Sequence, residues 1–494
     1  MKKPKNYIKS LNPLKFVSVM RERVKRFKKG AITPLPRRYP VNELARKLHP
    51  KKQYVKIAAI TERAPDCKTF TFVADKERGT QELAYFASGR YVTVFLNIEG
   101  LKITRAYSLC SSPKESLTTG DKDGFYQITV KAVGGGLVSN YILENWEVGT
   151  KVELSAPEGQ FDYVYLRDAP TVVCLAGGSG ITPFLSMAKS ICDGDEDFNM
   201  ILLYGSRDKK SILFKEEFDQ LQKKNHRIRV VHVLSDEKAP KLGAGTAEGT
   251  DTSKMPAGTG ESVDSSKMAA ATAATETAMT NFGENVARFE YGFITADLIK
   301  KYAPSSDFSV FLCGPQAMYN FLDKELQKLN LPKKYIRHEM FGEIHSAKSQ
   351  EGYPGFPQLE TEENLSEKEP AVTIEKQTTY TKGPASTEKP DNLAQTVSAC
   401  PEVTITVHIC DQTFTVKGNA DDTILQILEK GGVAVPNRCR SGECGWCHSY
   451  LKSGKVFVPQ KLDYRRKADL KYGFIHPCCT FALSNLELDI PPAK

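Results

Sequence analysis

Four cysteines near the end of the sequence carry its most specific chemistry. Cys439, Cys444 and Cys447 stand in the run Cys-Arg-Ser-Gly-Glu-Cys-Gly-Trp-Cys, and Cys478 follows after a long gap. Four and then two residues between thiols, with a distant fourth, is a spacing that holds a [2Fe–2S] cluster. Iron takes soft anionic ligands, and Ser441, Gly442 and Gly445 are small enough to let the backbone fold around bridging sulfides. A structural zinc site is the alternative. Zinc usually uses paired C-x2-C knuckles, and only one such pair occurs here.

Residues 402–494 resemble a plant-type ferredoxin domain, which implies a β-grasp fold. The segment from Pro477 to Leu486 resembles the fourth-ligand region of ferredoxins fused to flavin reductases; its first cysteine, Cys478, is then the ligand and Cys479 the second choice. Upstream, Arg105-Ala-Tyr107-Ser108-Leu-Cys-Ser-Ser-Pro resembles the R-x-Y-S flavin motif of the ferredoxin-NADP+ reductase superfamily. The resemblance implies that Arg105 pairs with a flavin phosphate, Tyr107 stacks on the ring and Ser108 bonds near its N5. A guanidinium fork, a flat ring and a hydroxyl donor suit those tasks. Gly134-Gly135-Gly136-Leu-Val-Ser139 reads as a glycine turn entering a helix, whose free N–H groups suit a pyrophosphate. The form of both motifs is similar to the FAD branch, with FMN the alternative.

A second set of glycines would serve a nicotinamide dinucleotide. The apolar run Thr171–Ala176 leads into Gly177-Gly178-Ser-Gly180-Ile-Thr182-Pro183, a strand, glycine turn and helix start with proline in the first turn. These residues resemble the reductase family's nicotinamide motif. Ser206, Arg207 and Asp236 end the next two strand-like runs. Asp236 would repel a 2′-phosphate and favour NADH, whereas Arg207 pulls toward NADPH. Cys313-Gly314-Pro315 closes another apolar run, and the resemblance puts Cys313 beside the nicotinamide, with Gly314 and Pro315 against the dinucleotide. By itself, a cysteine ending an apolar strand is more often a small core residue. Glu339 and Phe341 would lie near the flavin edge, so Ser108, Cys313 and Glu339 form the candidate catalytic set.

The elements that must position these residues follow from periodicity. Residues 53–163 alternate as short strands between Gly and Pro turns, which predicts an antiparallel flavin-binding β-barrel. Residues 164–341 change to continuous apolar runs followed by helices, the pattern of a doubly wound parallel α/β nicotinamide domain. Residues 238–290, rich in Ala, Thr, Gly and Ser, interrupt it and read as a disordered insertion. Residues 342–401, rich in Glu, Lys, Thr, Pro and Ser, read as a flexible linker before the ferredoxin domain at 402–494. The fold class is multidomain, α+β and α/β.

Charge is unevenly placed. The chain of 494 residues carries a net charge of +9, yet residues 1–52 hold seventeen Lys or Arg against Glu22 and Glu43, which leaves the rest net negative. In this basic arm Leu14, Val17, Met20, Val24 and Phe27 recur every three or four residues, as on an amphipathic helix. It would suit an anionic membrane surface or an acidic partner; a solvated arm is the plain alternative. No nucleic-acid-binding fold accompanies the charge, so nucleic acid is not expected. Cysteines without a disulfide framework, and no apolar run of membrane-spanning length, predict a cytoplasmic protein, peripheral at most.

Barrel, nicotinamide domain and ferredoxin in that order imply an NAD(P)H-dependent electron-transfer reductase. A hydride would pass from nicotinamide to flavin, and the cluster would take electrons singly to a partner metalloprotein such as an oxygenase or a hybrid-cluster protein. A redox-sensing docking protein anchored by its basic arm is the competing reading.

Overall fold

A computed structural model describes residues 13–30, 39–237, 288–304, 307–341, 344, 346–356 and 401–491. The chain divides into two compact units, Met1–Pro50 and Lys51–Lys494. Most of the insertion expected at 238–290, and the linker from 357 to 400, lie outside the described residues.

The first unit contains α1 (Pro13–Lys29) and α2 (Pro40–Leu48). Alternation of apolar and basic residues at helical spacing gives α1 two faces, but both are open to solvent. Phe16, Val17, Met20, Val24 and Phe27 are all exposed.

The second unit begins with a six-stranded antiparallel sheet: β1 (Gln53–Ala64), β2 (Cys67–Ala74), β3 (Tyr91–Ile98), β4 (Leu101–Ser108), β5 (Phe125–Lys131) and β6 (Lys151–Leu154), in the order β4-β3-β6-β1-β2-β5. An antiparallel bridge from Leu109 to Ile128 joins the two edges, which rolls the sheet into a barrel. Period-two alternation sends Phe70, Phe72, Val92 and Val94 inward, where Phe70 and Phe72 meet Trp146 edge-on. The helix α3 (Leu137–Asn145) packs beside β5 after the glycine turn.

The parallel sheet follows, with β7 (Thr171–Gly177), β8 (Asn199–Ser206), β9 (Ile228–Leu234), β10 (Arg288–Tyr291), β11 (Ser309–Pro315) and β12 (Ile336–Phe341) in the order β10-β9-β8-β7-β11-β12. Strands β7 and β11 are apolar nearly throughout because both faces are covered. The order reverses at β7, and the crevice between the carboxyl ends of β7 and β11 is therefore the switch point of the sheet. Asp168, its side chain wholly buried, pairs with Arg337 at 3.2 Å and with Arg167 at 2.7 Å, which fixes β12 to the connection from the barrel.

The last domain has β13 (Glu402–Ile409), β14 (Gln412–Asn419), β15 (Ser449–Ser453), β17 (Phe474–Ile475) and β19 (Leu486–Ile490) in one mixed sheet of order β14-β13-β19-β15-β17, with β16 (Val456–Phe457) and β18 (Phe481–Ala482) as a small second one. The helix Ile424–Lys430, started by a Thr423–Gln426 capping box, packs across it. One expectation is corrected here: the linker does not begin at 342. Ile344 and Ala347 are buried in the core of this last domain, and Ser346 Oγ donates to Asp421 at 3.0 Å. Tyr353 and Phe356 pack against the same core, so a few apolar side chains in a mostly polar run hold the segment down.

Candidate functional site

The crevice at the end of β7 is built by glycines that nothing else could replace. A Cβ on Gly180 would collide with the Cys313 carbonyl, and one on Gly177 with the Met318 sulfur. Gly178 has φ +54°, a left-handed value that favours glycine. The turn therefore lies hard against β11, where Cys313 stands in register with Ala176 on one side and Glu339 on the other. Helix α4 (Thr182–Asp193) starts from this turn with Pro183 in its first turn and points its N–H groups into the crevice, as an anion site requires. Thr182 is buried and donates to the Ser179 carbonyl at 3.1 Å. Gly314 and Pro315 follow Cys313 at the mouth, and Phe341 pairs in register with Pro315. The Cys313 thiol is fully buried, which pushes its pKa well up and keeps it uncharged.

The ends of β8 and β9 meet next to it. The Asp236 N–H donates to the Arg207 carbonyl at 2.9 Å, and the Ser235 hydroxyl donates to the Asp236 carboxylate at 2.7 Å. Arg207 and Asp236 are both exposed, while the Ser206 hydroxyl is buried with no hydrogen-bond partner among the described residues.

On the barrel side, Ser108 ends β4 and donates to Glu339 at 2.8 Å, so two candidates 231 residues apart become one hydrogen-bonded pair. Burial first, and then the nearby Cys439 thiolate, push the Glu339 carboxyl up to about 7 against the lowering effects of Ser108 and Arg90. Tyr107 precedes Ser108 on β4, and burial pushes its phenol up. The glycine turn is open: nothing stands within 4 Å of a Cβ built on Gly134 or Gly135, and Gly135 has φ +71°. Gly136 caps α3 without a side-chain hydrogen bond, leaving the first N–H groups of that helix for a ligand. Ser139 is buried, and its hydroxyl accepts from the Val133 N–H at 3.2 Å, so it braces the turn. An open glycine turn at an uncapped helix start, on the same barrel as Tyr107 and Ser108, fits a flavin dinucleotide.

The cysteine loop fits a cluster in the same sense. Cys447 and Cys478 are buried with their sulfurs 3.4 Å apart, and the Cys444 N–H donates to the Cys439 sulfur at 3.3 Å. Arg440, Gly442 and Gly445 all have positive φ, the curvature that wraps backbone around a compact group. Cys479 donates to the His476 carbonyl at 3.5 Å, and its sulfur lies 2.8 Å from a Cβ built on Gly442, against the same loop. The buried Nε2 of His476 has no hydrogen-bond partner, and it lies 3.8 Å from a Cβ built on Gly445.

Sequence reasoning missed how these parts meet. The cysteine loop is seated on the barrel and on β12. Thr104 donates to the Asn437 side chain at 2.5 Å, Arg438 pairs with Glu158, and His338 bonds to Tyr464 and lies 3.9 Å from Glu443. Lys461 reaches Asp323 at 2.7 Å and Glu351 at 3.1 Å. Arg438 also stacks on Trp446 with its guanidinium 3.5 Å from the ring centre. Arg105, expected to face only a flavin phosphate, lies 3.9 Å from Glu429, which Arg440 grips with two bonds of 2.6 and 2.8 Å. The charge on Glu443 is disfavoured by burial first and then by Cys439 and Glu339, which pushes its carboxyl up to about 8. No local pattern announces the contacts of Thr104, Glu158, His338, Asp323 and Arg105 with the last domain, because each joins residues far apart in the chain.

Three family descriptions match in sequence order: an oxidoreductase FAD-binding domain at residues 54–163, an oxidoreductase NAD-binding domain at 174–248, and a 2Fe-2S iron-sulfur cluster binding domain at 407–483. The chain is 25% identical over 432 residues to the ferredoxin reductase component of 3-ketosteroid-9-alpha-monooxygenase from Mycobacterium tuberculosis, covering 86% of this chain and 91% of the relative. It is 22% identical over 445 residues to the glycine betaine monooxygenase reductase subunit of Pseudomonas aeruginosa, covering 89% and 95%. Among solved structures, phthalate dioxygenase reductase superposes with a TM-score of 0.50 at 20% identity, over 89% of this chain and 98% of that one. That likeness shows the fold.

Proposed function

We propose that this chain, a ferredoxin-reductase-type flavoprotein with FAD-binding, NAD-binding and [2Fe–2S] domains in that order, draws electrons from NADH and delivers them to an oxygenase. The observation that carries the reading is the seat of the cysteine loop beside the Ser108–Glu339 pair, with the nicotinamide crevice meeting the same pair through Cys313. Bound FAD supplies the conversion of a two-electron hydride into single electrons, and the bound cluster relays them.

The chain's own residues hold and align. Gly177, Gly178, Gly180 and the start of α4 take the dinucleotide phosphates, while Ser206, Arg207 and Asp236 meet its ribose end. Asp236 there favours a free 2′-hydroxyl and hence NADH. The buried Cys313 stays an uncharged thiol beside the nicotinamide, Gly314 and Pro315 lie against the dinucleotide, and Phe341, at the end of β12, stands near the flavin edge. Tyr107 stacks on the flavin, with the Gly135–Gly136 turn and Ser139 shaping its phosphate site. Arg105 takes a flavin phosphate and also faces Glu429. Ser108, its hydroxyl proton engaged by Glu339, keeps its oxygen free to accept a hydrogen bond near the flavin N5. Cys439, Cys444, Cys447 and Cys478 are the iron ligands. Hydride transfer asks for alignment and dry surroundings rather than a general base, which suits a pair as buried as this one.

The relatives that span this chain are reductase components of monooxygenases, and this supports an oxygenase as acceptor here. The basic arm is read as an anion-seeking contact. Anaerobic addition of NADH tests the main reading: loss of both flavin and cluster absorbance supports it. Loss of neither with NADH or NADPH sinks it.

A further inference from the structure

We infer that α1 is a lipid-surface anchor that lays its apolar stripe into an anionic bilayer, a conclusion that rests on reading the basic arm as an anion-seeking contact. At the helical period, Phe16, Val17, Met20, Val24 and Phe27 fall within an arc of about 100°. All five are exposed, Phe27 at 84% and Phe16 at 60%. A soluble helix hides such a stripe; here no described residue covers it.

The charges say what does. Arg23 borders the stripe on one side, Arg21 and Lys28 border it on the other, and Lys25, Arg26 and Lys29 lie beyond them. The one acid, Glu22, is on the opposite face. Among the described residues none of these six cations is held in an ion pair or hydrogen bond by the protein. Long basic side chains on both shoulders of an apolar stripe can snorkel to phosphate groups while the stripe enters the acyl boundary. The last turn is basic and the first turn carries no acid, so the positive charge gathers on the C-terminal half of the helix, from Arg21 to Lys29. One such helix gives reversible, salt-sensitive attachment, and the absence of any described helix long and apolar enough to cross a bilayer leaves surface attachment as the mode for this element.

The test uses the full-length holoprotein in flotation with phosphatidylcholine vesicles, with and without about 30% phosphatidylserine. Binding to the anionic vesicles alone, lost at high salt, is expected. Phe16→Ser combined with Phe27→Ser should weaken it on the order of 100-fold, with NADH-to-cytochrome c turnover unchanged. Equal binding to neutral vesicles, or binding indifferent to the two phenylalanines, overturns the proposal. Capture on immobilised polyglutamate without vesicle binding overturns the lipid assignment while keeping the anion-seeking arm. Binding to neither removes both. Turnover measured in the same samples keeps these outcomes separate from failure of the electron-transfer reading.

Discussion

Two regions of this protein use the same residue types to opposite ends. At the seat of the cysteine loop, Arg105, Arg438, Arg440 and Lys461 each meet a carboxylate of the same chain. On α1, six cations meet none among the described residues, and the apolar side chains between them are exposed. Charge that is paired and half-buried fixes geometry, because it tolerates one partner in one place. Charge left in water fixes only a direction of attraction, and salt screens it. The first region is suited to alignment inside the molecule, the second to attachment outside it.

The comparison can be broken from either side, and the largest effect lies at the cluster. Cys478→Ser should abolish the visible bands of the cluster and lower cytochrome c reduction by about 100-fold or more, while NADH-to-ferricyanide activity through the flavin survives. If the cluster bands persist, Cys479 or another group is the ligand. Next is Arg440→Met, which takes from Glu429 its two shortest bonds and leaves Arg105 3.9 Å away, in a site where the Arg440 and Glu429 side chains are under a tenth exposed. Breaking a buried pair in this way costs about 3 kcal/mol, read as a lower melting temperature of the last domain. An unchanged melt would show that the pair contributes nothing.

A smaller effect is expected at Glu158. Glu158→Arg should slow flavin-to-cluster transfer about tenfold by repelling Arg438, and adding Arg438→Glu should restore part of it. Restoration failing in the double variant would argue against direct pairing. The smallest is the pH response of Glu339. Its folded-state pKa, about 7, is raised above its ordinary value, so its contribution to stability is full below about pH 4.5 and lost as pH rises through 7. Glu339→Gln should therefore flatten the fall in melting temperature between pH 5 and 8. A profile identical to the parent would assign the slope to other groups.

Much of this was legible in the sequence because it is local. The C-x4-C-x2-C loop, the apolar run of β7 with its glycine turn, and the alternation of the barrel strands all carry their meaning within ten residues. What was not legible is whatever joins distant segments. Nothing in the sequence around Glu158 points to Arg438, and only the fold brings the two together. Arg105 reads as a phosphate ligand, and only the fold shows Glu429 beside it. The segment after 342 looks like linker by composition, yet Ile344 and Ala347 are buried, because burial depends on where a side chain lands rather than on its neighbours in sequence. The exposure of α1 was equally hidden. Amphipathic spacing predicts two faces, but it does not say that neither is covered.

The central claim is that electrons leave the flavin through the seat of the cysteine loop. Stopped-flow mixing of the anaerobic holoprotein with NADH, followed at flavin and cluster wavelengths, tests it most directly. The account predicts that cluster bleaching follows flavin bleaching at a rate at least equal to turnover, and that it slows in Glu158→Arg while flavin bleaching does not. A cluster that stays oxidised through many turnovers, or transfer indifferent to Glu158, would contradict it.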